Sequence, residues 1–152
     1  MVESLIPAGY TIRPLMAADY DNGVLDCLKG LTTVGDVSRL HFEKLLAYWD
    51  ARRDMYHNMV IVDNSGLVVA TGTLLVEYKL IHACGKVGHI EDISVNENQQ
   101  GKKLGIALIR YLLQVAKDLG CYKTILDCSE HNVGFYEKCG LKVEGIEMGY
   151  RY

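Results

Sequence analysis

A short loop of small and basic residues has the composition of an anion-binding site. Gln100-Gly101-Lys102-Lys103-Leu104-Gly105 follows an apolar run and precedes a long stretch with helical periodicity. A glycine-containing loop at the start of a helix leaves backbone N–H groups without intrahelical partners and lets a ligand approach them closely. The helix dipole favours negative charge at the same place, so the loop predicts binding of a pyrophosphate group. An ordinary surface turn is an equally good interpretation of this loop alone.

Two further segments make the loop more specific. They are Gly88-His89-Ile90-Glu91-Asp92-Ile93-Ser94-Val95 and Asn132-Val133-Gly134-Phe135-Tyr136-Glu137-Lys138-Cys139-Gly140-Leu141. Together with the loop, these segments resemble the GCN5-related N-acetyltransferases. In that family the loop has the pattern (Arg/Gln)-x-x-Gly-x-(Gly/Ala) and binds the pyrophosphate of acetyl-CoA. The chain departs from the pattern at Lys103, which stands where the family usually has its middle glycine.

Hydrophobic periodicity predicts the order of elements β-α-α-β-β-β-α-β-α-β. The predicted strands cover residues 10–15, 59–63, 67–78, 87–95, 123–128 and 143–150. The predicted helices run from Asp19 to about 31, from Ser38 to about 55, from 103 to 119 and from Asn132 to 139, with the three named residues as N-caps. The apolar side of the second helix is expected to comprise Leu40, Leu45, Leu46 and Trp49.

The acetyltransferase family shows the same order of elements, so the resemblance implies one mixed α/β domain over residues 1–152. Its fold is a central, mixed, twisted sheet flanked by helices. In that fold two neighbouring parallel strands splay apart, and CoA enters the wedge between them. Here these strands would be 90–95 and 124–128. Composition does not show the splay, which comes from the resemblance alone.

The resemblance also implies direct transfer of acetyl from acetyl-CoA, and it assigns residues to this donor. They are Ile93, Ser94, Val95, Gln100, Gly101, Lys102, Lys103, Leu104, Gly105, Ile106, Asn132, Tyr136 and Lys138. The strand backbone at 93–95 would hold the pantetheine arm and donate an N–H to the thioester oxygen. Tyr136 would stabilise the departing thiolate, since a phenol is a hydrogen-bond donor at neutral pH. A half-buried structural tyrosine is the alternative interpretation.

Among family members, the chain is most similar to those that acetylate D-glucosamine 6-phosphate on the way to UDP-N-acetylglucosamine. The candidate residues for the acceptor site are Thr32, Lys79, His82, Glu91, Asp92, Lys123, Asp127 and Arg151, of which Lys79, His82 and Lys123 are candidates because a phosphate needs cations. By resemblance, Glu91 takes up the amine proton through water, Asp127 helps to hold the amine, and Asp92 contacts the sugar. Arg151 completes the phosphate pocket of a partner subunit in a homodimer. Glu91 and Asp92 are adjacent in a strand, so their side chains are expected on opposite faces.

Simpler roles remain open for these residues. The carboxylates could serve as helix caps or surface ion pairs, and Thr32 could simply end a helix. Arg151 could belong to a solvated tail. Cys128, beside Asp127, is expected to be a small buried thiol rather than a nucleophile.

Composition argues against several other classes of protein. The formal net charge of −3 does not suit a general nucleic-acid binder, and no apolar run approaches the roughly 20 residues of a membrane helix. The N-terminus carries Glu3 and no secretory apolar segment, and five scattered cysteines indicate reduced thiols in the cytoplasm. His82-Ala83-Cys84 and Cys128-x-x-His131 do not make a paired ligand set, so no metal site is predicted.

Two other functions stay open. An acetyltransferase for a polyamine or a protein lysine would want an acidic groove, and an aminoglycoside is a further possible acceptor. Four basic residues favour an anionic acceptor instead: Lys79, His82, Lys123 and Arg151. A non-enzymatic acyl-CoA sensor would not need Glu91, Asp127 and Tyr136 together.

Overall fold

The fold is a five-stranded sheet that carries helices on both faces. A computed structural model describes residues 6–152, so Glu3 and the prediction made from it lie outside the described residues. The strands are β1 (Tyr10–Pro14), β2 (Tyr56–Asp63), β3 (Val68–Tyr78), β4 (Lys86–Val95) and β5 (Cys121–Ile125). The helices are α1 (Val24–Lys29), α2 (Arg39–Asp50), α3 (Leu104–Asp118) and α4 (Val133–Lys138). Shorter helical turns occupy Ala17–Tyr20, Ile81–Cys84, Glu97–Gln99 and Glu130–Asn132.

The order of strands in the sheet follows the chain, β1-β2-β3-β4-β5. Strands β1 to β4 pair antiparallel as a meander, and β5 pairs parallel with β4. A parallel pair needs a crossover connection, which α3 supplies between β4 and β5. The predicted mixed sheet, with a meander followed by a crossover, is confirmed.

Two apolar clusters hold the helices on opposite faces of the sheet. Alternate residues of β2 divide between them, since Ile61 belongs to the cluster under α3 and Val60 to the cluster under α1 and α2. Leu104, Leu108 and Leu112 of α3 are at most 1% exposed, as their helical spacing predicts. Burial of each leucine contributes roughly 1.5–3 kcal/mol. The start of α3, and the loop before it, are therefore fixed against the sheet.

The prediction that Asp19 caps a helix reaching residue 31 is wrong. The Asp19 carboxylate is fully buried and accepts hydrogen bonds from Arg13 at 2.7 and 2.8 Å and from the Met16 N–H at 2.9 Å. It closes the short turn Ala17–Tyr20, and α1 begins separately after Gly23, whose φ of 93° is left-handed. The buried ion pair overrides the local capping signal because a buried carboxylate needs an opposite charge.

The second predicted helix is confirmed at its start, and its predicted apolar side is right for Leu46 and Trp49 and wrong for Leu40 and Leu45. The Ser38 hydroxyl accepts a hydrogen bond from a first-turn N–H at 3.1 Å and so caps α2. The helix buries Phe42 and Leu46, whereas Leu40 and Leu45 are 63% and 42% exposed. Phe42 and Leu46 lie one turn apart on the buried stripe, and Trp49 packs against the same cluster, so the prediction missed only Phe42 on this side.

Two predictions near the C-terminus are also wrong. Asn132 has helical backbone angles, φ −94° and ψ −7°, and therefore lacks the extended geometry of an N-cap before α4. Residues 143–150 form no strand within the described chain. Ile146 and Met148 are each 93% exposed. A strand needs a hydrogen-bonded neighbour, which the sheet of the described chain does not provide for this segment.

Candidate active site

Strands β4 and β5 separate part of the way along their length. Their paired register runs from Lys86 and Cys121 to His89 and Ile125. β4 then continues for six residues without a β5 partner in the described chain. The backbone of residues 90–95 therefore has an open edge beside β5, which is the splay that the resemblance implies.

A β-bulge reshapes β4 along this open edge. Two residues, Asp92 and Ile93, lie opposite the single residue Gly72 of β3. Asp92 has a left-handed φ of 53°, and bulges of this kind re-aim side chains next to active sites. Simple alternation does not hold through a bulge, and Glu91 and Asp92 are both exposed. The expectation that their side chains occupy opposite faces rested on regular alternation and loses that support.

The loop before α3 has free backbone donors. The N–H groups of residues 101–106 donate to no acceptor in the part of the chain that the structure describes, and the first bond of the helix runs from the Ala107 N–H to the Lys103 carbonyl at 3.1 Å. Gly101 and Lys103 have left-handed φ angles of 83° and 63°. Successive N–H groups in such a turn form a concave nest that suits an anion. Lys103 thus adopts a conformation that costs a non-glycine residue roughly 1–2 kcal/mol.

The apolar residues predicted for donor binding also belong to the core. Ile93, Val95 and Ile106 are partly buried against the cluster under α3, and Leu104 is buried within it. Gln100 is exposed beside them. The side chains of Ile93, Val95, Leu104 and Ile106 therefore anchor the open strand edge and the loop on the same core.

Helix α4 packs Phe135 against the start of α3 and carries Tyr136 beside it. The rings of Phe135 and Tyr136 meet edge to face with centroids 5.0 Å apart. Phe135 covers Gly105, where an added Cβ would lie 3.1 Å from the Phe135 Cζ. Burial raises the pKa of the Tyr136 phenol, and the neighbouring Cys128 thiol raises it further. The phenol therefore keeps its proton at neutral pH and remains a donor.

Three predicted catalytic groups, Glu91, Asp127 and Tyr136, lie near the point where β4 and β5 diverge. Desolvation raises the pKa of Glu91, and the negative charges of Asp127 and Asp92 raise it further. Asp127 also contributes to the raised pKa of Tyr136. Each of the three groups thus lies within electrostatic reach of another. A carboxylate whose pKa is raised toward neutrality is a better general base.

A further carboxylate, that of Glu147, lies beside Asp127. Glu147 was not predicted from the sequence as a site residue. The nearby Asp127 carboxylate raises the pKa of Glu147, while Arg151 opposes the shift. The C-terminal segment therefore returns to the ends of the splayed strands. An acidic residue among alternating apolar ones is typical of any exposed strand, so its position could not be predicted.

Lys79 and His82 lie in the turn between β3 and β4. Lys79 donates a hydrogen bond to Glu77 at 3.1 Å, and the ring of His82 stacks on Tyr122 with centroids 4.1 Å apart. The first residue of β4, next to this turn, is five positions before Glu91, which corresponds to about 17 Å of strand. His82 therefore lies toward the far end of β4 from Glu91.

The other two predicted phosphate ligands are exposed. Lys123 lies in β5 opposite Val87, four positions before Glu91. Arg151 lies in the C-terminal segment, close enough to Glu147 to act on its pKa. Within residues 6–152 of one chain, the four predicted cations are spread over three elements rather than gathered in one pocket.

Four more predictions concern single side chains. Thr32 is exposed after the end of α1, and Lys138 is exposed on α4. The Ser94 hydroxyl is buried and donates to the Cys27 carbonyl at 2.6 Å, so only its backbone is left for a ligand. Cys128 is exposed, and the prediction that it is buried is wrong because it lies beyond the last residue of β5.

A cavity of about 130 Å³ lies apart from these residues, between α2 and β2. Its lining includes Trp49, Arg53 and His57 and none of the predicted site residues. Desolvation lowers the pKa of His57, whose Nε2 is buried without a partner among the described residues. The cavity therefore adds nothing to the site at the splayed strands.

Residues 6–152 contain neither a cluster of metal ligands nor a membrane-spanning helix. No group of three or more His, Cys, Asp or Glu side chains there could hold a metal ion. None of the helices there is long and apolar enough to cross a membrane.

Comparisons with known proteins agree with this geometry. Residues 27–141 match the model of the acetyltransferase (GNAT) family. The chain is 57% identical to the glucosamine 6-phosphate N-acetyltransferase of Candida albicans, over 97% of this chain and 99% of that protein. It is 42% identical to glucosamine 6-phosphate N-acetyltransferase 1 of Dictyostelium discoideum, over 97% and 94% of the two chains. The crystal structure of glucosamine-6-phosphate N-acetyltransferase from Arabidopsis thaliana superposes with a TM-score of 0.92 at 37% identity, covering 94% of this chain and 98% of that one.

A mixed sheet with splayed parallel strands and a nest of amides at a helix start defines an acetyltransferase fold. The chain belongs to the GNAT acetyltransferase family. The resemblance and the fold class predicted from the motifs are therefore confirmed.

Proposed function

We propose that this chain transfers acetyl from acetyl-CoA to the amine of D-glucosamine 6-phosphate. The products are CoA and N-acetyl-D-glucosamine 6-phosphate, a precursor of UDP-N-acetylglucosamine. The observation that carries the proposal is the 57% identity, over 97% of the chain, to a protein named for this activity. The site at the splayed strands supplies groups of the right chemistry for each part of the reaction.

Donor binding falls to the loop, the open strand edge and α4. The free N–H groups of residues 101–106 suit the two phosphates of the diphosphate, with charge added by Lys102 and Lys103. The unpaired edge of β4 at residues 93–95 suits the amide groups of the pantetheine arm and offers an N–H to the thioester oxygen. Gln100, Asn132 and Lys138 complete the proposed donor site from the surface.

Glu91 and Tyr136 provide for the two protons of the reaction. As the amine nitrogen bonds to the carbonyl carbon, Glu91 takes up the amine proton through water, and its raised pKa suits this role. As the carbon–sulfur bond breaks, the phenol of Tyr136 donates to the departing thiolate. Asp127 holds the amine between them, and no covalent enzyme intermediate is needed.

Acceptor binding requires a second copy of the chain. Thr32 and Asp92 contact the sugar, and Lys79, His82, Lys123 and Arg151 are available to its phosphate. These cations are dispersed in one chain, and the exposed apolar residues of the C-terminal segment lack cover there. A homodimer in which this segment pairs with the partner would bury those residues and bring Arg151 to the partner's phosphate pocket.

We also propose that the protein works in the cytoplasm. All five cysteines are free, and two of them, Cys84 and Cys128, are exposed. Exposed thiols persist in a reducing compartment. Measurement of the free thiols in protein isolated from its own cells tests this location.

Release of free thiol from acetyl-CoA, with a panel of acceptors, tests the activity. With glucosamine 6-phosphate we expect kcat/KM to exceed that for unphosphorylated glucosamine by about 100-fold or more. The unphosphorylated sugar would leave the cations of the phosphate pocket without a partner. Faster release with a polyamine or a lysine peptide would favour another acceptor. Tight CoA binding without thiol release from any acceptor would favour a sensor.

A further inference from the structure

The side chain of Gln99 connects the edge of the sheet to the loop. Its Oε1 accepts a hydrogen bond from the Tyr10 hydroxyl at 2.6 Å and another from the Lys102 ammonium at 3.1 Å. Gln99 ends the short turn Glu97–Gln99 and stands two positions before Gly101, the first left-handed residue of the loop. Both lone pairs of the amide oxygen are therefore in use at the edge of the amide nest.

Tyr10 gives this connection a rigid base. It lies in β1, opposite Asp63 of β2, and its partly buried ring packs against the apolar cluster under α3. The bond from Tyr10 to Gln99 spans 89 positions of sequence. Gln99 is half-buried, so its amide is fixed from the sheet side and not only by its own short turn.

Lys102 is exposed and would otherwise sample many rotamers. Ordering a lysine side chain costs up to roughly 2 kcal/mol of rotamer entropy. An ammonium has three donors, so a bond to Gln99 leaves two for an anion. A lysine that is already held beside the amides of residues 101–106 loses less freedom when a phosphate binds, and this is the usual gain from preorganisation.

We propose that Gln99 is a positioning residue for the diphosphate of the donor. It holds the Lys102 ammonium beside the free amides of residues 101–106, and Tyr10 holds Gln99 in turn. The inference rests on the proposed function, since it assumes that a phosphorylated thioester occupies the loop. The hydrogen bonds from Tyr10 to Gln99 and from Lys102 to Gln99 would then contribute to affinity for the donor and not to the chemical step.

The test compares two donors and two backgrounds. With acetyl-CoA, Gln99→Leu should raise the KM about fivefold and leave kcat within about twofold, and calorimetry should show a similar rise in the Kd for CoA. With S-acetylpantetheine, which carries no diphosphate or nucleotide, Gln99→Leu should leave kcat/KM unchanged. In a Lys102→Met background, Gln99→Leu should cause no further loss, because the residue acts through Lys102.

Tyr10→Phe keeps the ring and removes only the hydroxyl, so a smaller rise in KM, about twofold, is expected. Asn98→Ala, in the same short turn, is the matched control and should behave as wild type. An equal loss with S-acetylpantetheine would show general loosening of the loop and overturn the inference. So would an undiminished effect in the Lys102→Met background, or an unchanged KM in Gln99→Leu. A wild-type protein that releases no thiol from acetyl-CoA would instead remove the proposed function, and this inference with it.

Discussion

Gly105 of α3 and Phe135 of α4 are in such close contact that a methyl group on Gly105 would lie 3.1 Å from the Phe135 Cζ. The next residue along α4 is Tyr136, whose ring meets that of Phe135 edge to face. The absence of a side chain at Gly105 thus lets α4, which carries Tyr136, pack closely on the start of α3. Gly105→Ala should push α4 away and lower kcat/KM for acetyl-CoA about tenfold, since small misplacements of catalytic groups are costly.

The matched control is Gly134→Ala on α4, where an added Cβ meets nothing within 4 Å. This control should keep wild-type activity. Gly105→Ala combined with Phe135→Leu should recover part of the loss, because the smaller side chain leaves room for the new methyl group. Steady-state kinetics on the four proteins checks the prediction, and a Gly105→Ala variant with wild-type kcat/KM would contradict it.

The backbone conformation of Lys103 leads to a second prediction about the loop. Its φ of 63° is left-handed, a conformation that glycine adopts without strain. Lys103→Gly should therefore raise the free energy of unfolding by about 0.5–1 kcal/mol, after allowance for the greater freedom of glycine in the unfolded chain. Lys103→Ala removes the same charge but keeps the strain, and should leave stability unchanged. Urea denaturation measures both, and equal stabilisation by the two variants would point to charge repulsion instead of backbone strain.

The raised pKa of Glu91 leads to a prediction about the pH dependence of kcat. Its pKa is raised by desolvation first and by Asp127 next, so the carboxyl gains its proton at a higher pH than an ordinary glutamate does. As the pH falls through this raised pKa the base is lost, and kcat should fall with it. Asp127→Asn removes one negative neighbour, lowers the pKa of Glu91 and should move the acid limb of the kcat profile to lower pH. An acid limb that stays in place, or moves to higher pH, would remove Glu91 as the titrating base.

If the protein forms the proposed homodimer, two impaired variants should complement each other. Alone, Tyr136→Phe should lower kcat about 100-fold with little change in the KM for acetyl-CoA, and Arg151→Ala should raise the KM for the phosphorylated sugar. If Arg151 serves the partner's site, a mixed dimer has one site with both residues intact. Unfolding and refolding the two variants together should then restore about a quarter of wild-type activity, by random pairing. Refolding that restores no activity would place Arg151 and Tyr136 in the same chain's site, or remove the arginine from the site.

The parts of the fold that follow local rules could be predicted from the sequence. The periodicity of α3, the Ser38 cap and the alternating strands each depend on neighbours within a few positions, and all three are as predicted. The loop could be predicted for the same reason, because its glycine and its helix start are adjacent in the chain. The elements that failed depend on distant partners. Asp19 forms an ion pair with Arg13 of β1 instead of capping a helix. Residues 143–150 have no strand neighbour in the described chain.

The site divides in the same way. The motifs predict roles for Glu91, Asp127 and Tyr136, and the charge of Asp127 contributes to the raised pKa of both Glu91 and Tyr136. The position of Glu147, the bulge at Asp92 and the bond between Tyr10 and Gln99 could not be predicted. Each of these arises from contacts between segments far apart in sequence, which no local pattern encodes.

Backbone amide NMR of the ¹⁵N-labelled protein tests the placement of the donor most directly. On titration with CoA, the N–H signals of residues 101–106 should shift more than those elsewhere, because these unpartnered donors would bond to the diphosphate. Titration with pantetheine, which lacks the diphosphate, should leave those six signals in place. Saturation with CoA without a shift at residues 101–106 would show that the coenzyme binds elsewhere and would contradict the proposed site.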